Sequence, residues 1–231
     1  SFRVTILSAL STKRSRCFAG LLVFLVALPV AAQTNFYTMT TNGPASNRVN
    51  LVIVAEGYRT DQYPQFLAEA TTAANILLTN APYGEYRSYI NTFAIAVPSV
   101  EAGSDHPSYP AFRNTYFNST FGPSDYYLTI PADNQGQGKV DALINTYMPQ
   151  ADLVVLLVND PLGGGSDGGG RTALVSRGAI NGGQFEILTH ETGHVLAGLG
   201  DEYTTANPGY PDIEEPNTTR ETNRTAIKWK A

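Results

Sequence analysis

The stretch DLVVLLV, residues 152–158, is the most hydrophobic strand candidate after the first 32 residues of the chain. An aliphatic run without polar alternation is typical of a strand that is buried on both faces. Such strands lie inside parallel sheets that carry helices on either side. The stretch therefore predicts an α/β domain in which this segment runs through the centre of the sheet.

Strands and helices alternate upstream of this central segment. The run VNLVIVA at 49–55 predicts a buried strand, and apolar residues at three- and four-residue spacing predict a helix over 61–80. A second strand is predicted over 92–97 and a short helix over 139–147. Residues 99–138 are rich in Pro, Gly, Asn and Ser, a composition typical of surface loops near a functional site.

Downstream of the central segment, a glycine tract at 163–170 leads to TALVS, Thr172–Ser176, which we predict to be an edge strand. A helix is then predicted over 184–197. The alternation of strands and helices, without an internal repeat, predicts one layered α/β domain over 47–231. Residues 33–46 are predicted to be a linker.

The last predicted helix carries HETGHVLAGLGDEY, residues 190–203. His190 and His194 are four residues apart, so both imidazoles project from one helix face and reach a single tetrahedral Zn²⁺. Glu191 lies between them and is the candidate general base, which takes a proton from water and passes it to the departing amine. The chain contains only three histidines, which makes a chance HExxH match a poor explanation.

A catalytic zinc needs three protein ligands and an open position. Gly198 and Gly200 can end the helix and turn the chain back toward the metal, which favours Asp201 as the third ligand. Glu202 is the alternative, and His106 or a residue past the end of the sequence stays open. A structural zinc site usually closes with four ligands rich in cysteine, so the ligand set favours catalysis.

The first 32 residues have the pattern of a signal peptide. Three basic residues precede an apolar run at 18–28, and small residues at 29–32 suit cleavage before Gln33. A membrane anchor is the competing interpretation, but the run is shorter than the roughly 20 residues that a spanning helix needs. We therefore expect a secreted protein, extracellular or periplasmic, with no stable membrane anchor after cleavage.

Charge and composition exclude several partners. The whole chain has a formal charge of −5, and removal of residues 1–32 leaves 11 basic against 20 acidic residues, a net of −9. A field of this sign repels nucleic acid. The glycine tract lacks the Gly-Lys-Ser/Thr ending of a phosphate loop, so no nucleotide is expected. The only cysteine, Cys17, lies in the signal, so stability must come from the core and bound metal.

Several stretches together resemble the IgA-peptidase-like family of secreted bacterial zinc metallopeptidases, from about Asn47 to the end of the chain. They are HETGH with the following AGLGDEY, NRVNLVIVAEGY, FAIAVPSVEAGSDHPS, TYFNSTFG, ADLVVLLVND and the terminal IKWK. The resemblance implies a metzincin-like three-layer α/β zincin domain with a mixed central sheet and an active-site helix. It also implies zinc ligands at His190, His194 and Asp201 and a general base at Glu191.

The same resemblance implies that an edge strand lies over the cleft and pairs with an extended protein or peptide substrate. The residues that it assigns to this role are Thr172, Ala173, Leu174, Val175 and Ser176.

Two departures from common metzincins affect these expectations. Metzincins have a glycine three residues after the second histidine and the third zinc ligand six residues after it. Here Gly198 comes four residues after His194 and Asp201 seven residues after it. This shift keeps Glu202 open as a ligand. No methionine follows Met148, which predicts that a Met turn lies beyond Ala231 and that the domain is truncated at its C-terminus.

The motif therefore predicts a secreted zinc endopeptidase with one catalytic Zn²⁺. A catalytically silent binding or adhesion module of the same fold is the alternative, and a zinc amidase that acts on cell-wall peptide is a third. The intact Glu191 argues against the silent module. Acids at Asp212, Glu214 and Glu215 could hold Ca²⁺, but a solvated loop is the better explanation of these residues.

Overall fold

A computed structural model describes residues 33–168, 171–201 and 214–230. The predicted signal peptide and Glu202 lie outside the described residues. Within the described part of the chain, no helix has both the length and the apolar character needed to cross a bilayer.

Eight strands occur among the described residues: β1 Asn35–Thr40, β2 Val49–Glu56, β3 Ile90–Ala96, β4 Thr120–Phe121, β5 Leu128–Thr129, β6 Leu153–Val158, β7 Gly165–Ser166 and β8 Thr172–Ser176. Six of them form a mixed sheet in the order β1-β3-β2-β6-β8-β7. The four inner strands are parallel, whereas β1 and β7 run antiparallel to their neighbours. Strand β6 is an inner strand, as its aliphatic sequence predicted.

Four α-helices occur in the same part of the chain: α1 Tyr63–Thr79, α2 Gln137–Tyr147, α3 Arg177–Asn181 and α4 Phe185–Ala197. Short 3₁₀ helices occupy Ala45–Asn47, Thr60–Gln62 and Tyr83–Tyr89. The predicted helices at 61–80, 139–147 and 184–197 are thus confirmed, with ends that shift by one or two residues.

Both faces of the sheet are covered, which gives three layers. Alternate side chains of a strand point to opposite faces, so Leu51 and Ile53 pack with residues of α1, α3 and α4. Val52 and Val54 face the other side and pack with α2 and the β4-β5 hairpin. Because neither face meets water, β2 is apolar without interruption over residues 51–55, as is usual for parallel strands between helices.

The chain reverses its direction of travel across the sheet between β2 and β6. It leaves β2 through α1 to β3 on one side, and then passes through α2 to β6 on the other side of β2. The loops that follow β2 and β6 therefore diverge at the carboxyl ends of two adjacent parallel strands.

The long loop-rich passage is attached to the sheet by Glu56, the last residue of β2. The Glu56 side chain is fully buried and accepts hydrogen bonds from Thr115 Oγ1 at 2.6 Å, Phe117 N at 2.9 Å and Ser119 N at 3.0 Å. These bonds satisfy backbone donors that would otherwise be buried without partners. They fix the segment that leads into the β4-β5 hairpin.

Two sequence predictions about the sheet are wrong. Residues 33–46 are not simply a linker, because they contain β1. This strand pairs with β3, from Asn35 opposite Ala96 to Thr40 opposite Thr92. Strand β8 is not at the edge either. The glycine tract folds back as β7 and pairs with β8 on its outer side, so all five residues of β8 are buried.

Candidate active site

Helix α4 is anchored by one apolar face and presents its polar face to a cleft. Ile187 and Leu188 are buried against the sheet and α1, whereas His190 and His194 are partly exposed. The helix ends at Gly198, whose φ of 62° is left-handed. Glycine adopts this conformation without steric cost, so the chain can turn sharply toward the histidines.

Three potential ligand atoms meet beside α4. His190 Nε2 and His194 Nε2 lie 2.9 Å apart, and Asp201 Oδ1 lies 3.0 Å from the first and 3.1 Å from the second. Ligand atoms on a tetrahedral zinc are about 3.3 Å apart, given bonds of roughly 2.0–2.1 Å. The sides of the triangle, at 2.9–3.1 Å, are slightly shorter than this spacing, so a small outward shift of the side chains would admit an ion. The donor types are those that zinc prefers.

The tautomer of His194 follows from its hydrogen bond to the turn. Its Nδ1 lies against the Leu199 carbonyl oxygen, which can only accept, so Nδ1 carries the proton. In the neutral ring, Nε2 then presents its lone pair to the triangle, where Asp201 also presents an acceptor. Two acceptors at 3.1 Å attract a cation between them.

Electrostatics at the triangle also favour positive charge. The pKa of His194 is raised overall. Burial, the largest single effect, lowers it, but the Leu199 carbonyl and the carboxylates of Asp201, Glu191 and Asp167 together outweigh burial. The same acceptors that favour a proton on the imidazole favour a metal ion at its Nε2.

Glu191 lies next to this triangle, with ligand atoms of its carboxylate and both imidazoles within 4.8 Å of one another. Its pKa is raised to about 7, mainly by burial, with further increases from Asp167 and Asp201 and an opposing effect from His194. A carboxyl group with a pKa near neutrality can both accept and release a proton, which is what a general base that becomes a general acid must do.

The cleft above the triangle has a volume of about 460 Å³. Its described lining beyond the ligands and the base includes Tyr126, Tyr127, Ser166, Asp167, Gly200 and Glu215. Tyr127 forms a bridge with Gly165 of β7, and Ser166 Oγ donates to the Leu128 carbonyl, so the β4-β5 hairpin is attached to β7. The wall of the cleft therefore comes from a segment about 60 residues before α4 in the sequence.

Tyr127 places a phenol in the cleft. The pKa of this phenol is raised, first by burial and then by the negative charges of Asp167 and Glu191. It therefore stays protonated at neutral pH and can act as a hydrogen-bond donor near the base.

Close packing joins β7 to the active-site helix. A Cβ atom added to Gly165 would lie 2.6 Å from Ile187 Cγ2, 3.0 Å from the Leu174 carbonyl oxygen and 3.2 Å from Glu191 Cγ. Only glycine fits between the sheet and α4 at this position, and its small size sets the distance between β7 and Glu191.

The structure brings together four of the residues predicted for the site, namely His190, Glu191, His194 and Asp201. It places Thr172, Ala173, Leu174, Val175 and Ser176 inside the sheet, where each is at most 1 % exposed. Strand β7 pairs with Leu174 and Val175 on the outer side of β8, so the centre of β8 has no free edge to offer a substrate. The prediction of an edge strand at this position is therefore corrected.

Of the remaining candidates in the described part of the chain, only Glu215 lines the same cleft as these four. His106 lies in a different cavity, where its Nε2 is 2.8 Å from Asp160 Oδ2. Of the acids considered for calcium, Glu214 accepts from Arg220 N and lies 3.6 Å from Lys228 Nζ, whereas Glu215 lines the cleft. Asp212 lies outside the described residues, and the calcium site stays a prediction.

Sequence reasoning missed the cleft residues Tyr126, Tyr127 and Asp167, and it named Glu215 only as a possible calcium ligand. They belong to loops without a recognisable spacing, and tertiary packing alone brings them to α4. The only signals in the sequence were the length of the loop passage and its aromatic content, which indicated a functional surface but no particular residue.

Comparisons with known proteins bear on the same residues. No curated protein matches the chain, but the family model of IgA peptidase M64 matches residues 38–231. The match covers well over half of the chain. It includes α4, every described residue of the cleft and all of the sheet except residues 35–37 of β1. It confirms the resemblance that the sequence suggested, and it indicates a metallopeptidase. The chain belongs to the IgA peptidase M64 family.

Proposed function

We propose that the protein is a secreted zinc-dependent endopeptidase in which Glu191 is the general base. The observation that carries this proposal is the triangle of His190 Nε2, His194 Nε2 and Asp201 Oδ1, with sides of 2.9–3.1 Å, beside a partly buried carboxylate and open to a cleft. Two imidazoles and one carboxylate, without a thiol, are a ligand set typical of catalytic zinc.

His190, His194 and Asp201 would hold the ion. Bound zinc lowers the pKa of water and polarises a carbonyl group. Glu191 accepts the proton of the attacking water and then donates it to the nitrogen of the departing amine. The Tyr127 phenol, which lines the same cleft, donates a hydrogen bond to the carbonyl oxygen as negative charge develops there.

The substrate of this proposal is a protein or peptide that enters the cleft between the β4-β5 hairpin and the turn after α4. Asp167 and Glu215 lie along this path and add negative charge. We expect peptides with basic side chains near the scissile bond to be preferred over acidic ones, because like charges in a confined cleft repel. Secretion follows from the predicted signal peptide and is part of the proposal.

The test compares Glu191→Gln with Glu186→Gln. Both residues lie on α4, but Glu186 is an exposed residue of its first turn. We expect Glu191→Gln to lower kcat by at least about 100-fold, the usual contribution of a general base, while zinc content stays at that of the original protein. Glu186→Gln should keep full activity.

Chelation supplies the second part of the test. Activity on a denatured protein substrate should disappear with a chelator and return with added zinc. If cleavage persists under chelation and in Glu191→Gln, the zinc mechanism is rejected. If zinc binds to the original protein at this triangle but no peptide is cleaved, the silent binding module takes its place.

A further inference from the structure

A second cavity, of about 530 Å³, lies apart from the cleft of the candidate active site. Its described lining contains Gln62 from the segment after β2, Asn159 and Asp160 after β6, and Arg177 immediately after β8. The cavity is thus at the carboxyl ends of the parallel strands, across the β2-β6 reversal. Open α/β sheets bind their ligands in the crevice at such a reversal.

Two guanidinium groups line this cavity, those of Arg113 and Arg177. The Arg177 Nε donates to Asn159 Oδ1 at 2.8 Å, which orients its guanidinium. The Arg113 side chain lies over Gly103, where an added Cβ would be 3.9 Å from Arg113 Nε and 4.0 Å from Asp160 Oδ2. Neither guanidinium forms an ion pair with any residue that the structure describes.

Asp160 is the one carboxylate among the described lining residues, and both of its oxygens already have hydrogen-bond partners. Its Oδ2 accepts from Ser104 Oγ at 2.9 Å and contacts His106 Nε2 at 2.8 Å, while its Oδ1 accepts from Leu162 N at 2.9 Å. Asp160 is also buried, at 4 % exposure. It serves to hold the loop at 104–106 and leaves both arginines available to a ligand.

The charge of the cavity differs from that of the whole molecule. Two arginines against one aspartate give a net positive lining in a chain whose formal charge is −5. Two further acids lie at the periphery: Asp105 Oδ1 accepts from the backbone N–H of Arg113, and Asp125 Oδ1 is 3.8 Å from His106 Nδ1. Neither of them contacts a guanidinium.

We propose that this cavity is a second ligand site, which binds a small molecule bearing a carboxylate or phosphate group through Arg113 and Arg177. A guanidinium group matches both oxyanions with paired N–H donors. The amides of Gln62 and Asn159 supply additional polar contacts in the lining. The volume suits a small organic molecule, whereas the negative field of the rest of the protein disfavours a polyanion.

The experiment measures binding of inorganic phosphate and of citrate to the whole protein by calorimetry, at ionic strength matched with sodium chloride. The original protein is compared with Arg113→Gln, Arg177→Lys and the double variant. Arg87→Gln is the matched control, because Arg87 is exposed and lies in the 3₁₀ helix Tyr83–Tyr89, away from the cavity.

We expect saturable binding of one or both probes, and a dissociation constant that increases by about tenfold or more in Arg113→Gln, which removes a charge-assisted contact. Arg113→Gln should leave folding undisturbed, because Arg113 is exposed and the hydrogen bond that it donates to Asp105 Oδ1 comes from its backbone N–H. Preference for phosphate or for citrate identifies which oxyanion the site is built for. Binding that is absent for both probes, or equal in the double variant and in Arg87→Gln, overturns the proposal.

Discussion

Asp201 is the residue that completes the proposed metal site. It is the only member of the ligand triangle outside α4, and its side chain is 52 % exposed. Among the described residues, the two histidines are the ones that its carboxylate contacts. We expect Asp201→Asn to weaken zinc binding by more than about tenfold, because a neutral amide replaces a charged ligand. Competition with a chromogenic chelator measures this affinity.

Asp141→Asn is the control for Asp201→Asn, because Asp141 is an exposed acid on α2. It removes the same charge from the protein without touching the cleft. If the two variants bind zinc equally well, Asp201 is not the third ligand, and Glu202 becomes the residue to test.

Tyr127 offers a second prediction at the level of single residues. If its phenol stabilises the developing oxyanion, Tyr127→Phe should lower kcat by about tenfold to a hundredfold with little change in KM, since such a donor acts in the transition state. Tyr86→Phe, at a residue that is 59 % exposed and outside the cleft, should change neither constant. If Tyr127→Phe instead raises KM by a similar factor and leaves kcat unchanged, Tyr127 only binds substrate.

The residues of the site differ in how far sequence could reveal them. His190, Glu191 and His194 are set by helical spacing, and Gly198 marks the turn that brings Asp201 back, so local rules were sufficient to group these four residues but left Glu202 and His106 open as the third ligand. Tyr127 reaches the cleft through a hairpin that pairs with β7. No local pattern encodes that contact, and the spacing of residues in a loop carries no periodic signal.

At the level of elements, the packing of β7 against α4 determines the geometry around the base. Gly165→Ala places a methyl group 2.6 Å from Ile187 Cγ2 and 3.2 Å from Glu191 Cγ. We expect a loss of stability of about 1–3 kcal/mol from overpacking, together with reduced kcat as Glu191 shifts. Thermal melting and peptidase assays measure the two effects.

Gly193→Ala is the matched control for Gly165→Ala. It lies within α4, and an added Cβ would meet only Leu199 Cδ1, at 3.4 Å. Alanine is the better helix former by about 0.8–1.0 kcal/mol, so Gly193→Ala should raise Tm where Gly165→Ala lowers it. Equal melting temperatures for the two variants would show that β7 shifts to accommodate the methyl group and does not constrain α4.

Strands and helices were predictable where burial gave them a clear hydrophobic pattern. They were less predictable where a segment became a strand only by hydrogen bonding to its neighbour. The inner strands β2 and β6 and the helices α1 and α4 follow from aliphatic runs and helical periodicity. Strand β7 consists of Gly165 and Ser166, which have low strand propensity. Strand β7 forms because β8 offers it unpaired backbone groups. Since β7 has no strand signal of its own in the sequence, β8 was predicted to be the last strand of the sheet.

For the whole molecule, the sheet depends on a segment that the sequence indicated to be a linker. Strand β1 covers the edge of β3, and Phe36 stacks on Phe93 with ring centroids 5.6 Å apart. A chain that begins at residue 47 should therefore melt at a lower temperature than one that begins at residue 33. It should also self-associate, because the exposed edge of β3 can pair with another chain.

Gel filtration with light scattering, alongside thermal melting, distinguishes the two chains. A monodisperse shorter chain with an unchanged Tm would restore the linker interpretation for residues 33–46. The longer chain also represents the protein that cleavage before Gln33 would produce, so it is the proper reference for all activity measurements.

The turn at Gly198 has a consequence for how an ion would influence the stability of the protein. All the proposed ligands lie between His190 and Asp201, so coordination closes a loop of only about a dozen residues. Closure of so short a loop removes little chain entropy from the unfolded state, on the order of 2 kcal/mol. Zinc would suppress fraying of the end of α4, where all of its ligands lie. Because it would bind the folded triangle and not the unfolded chain, it would also raise the free energy of unfolding of the whole domain, by an amount that grows with the zinc concentration.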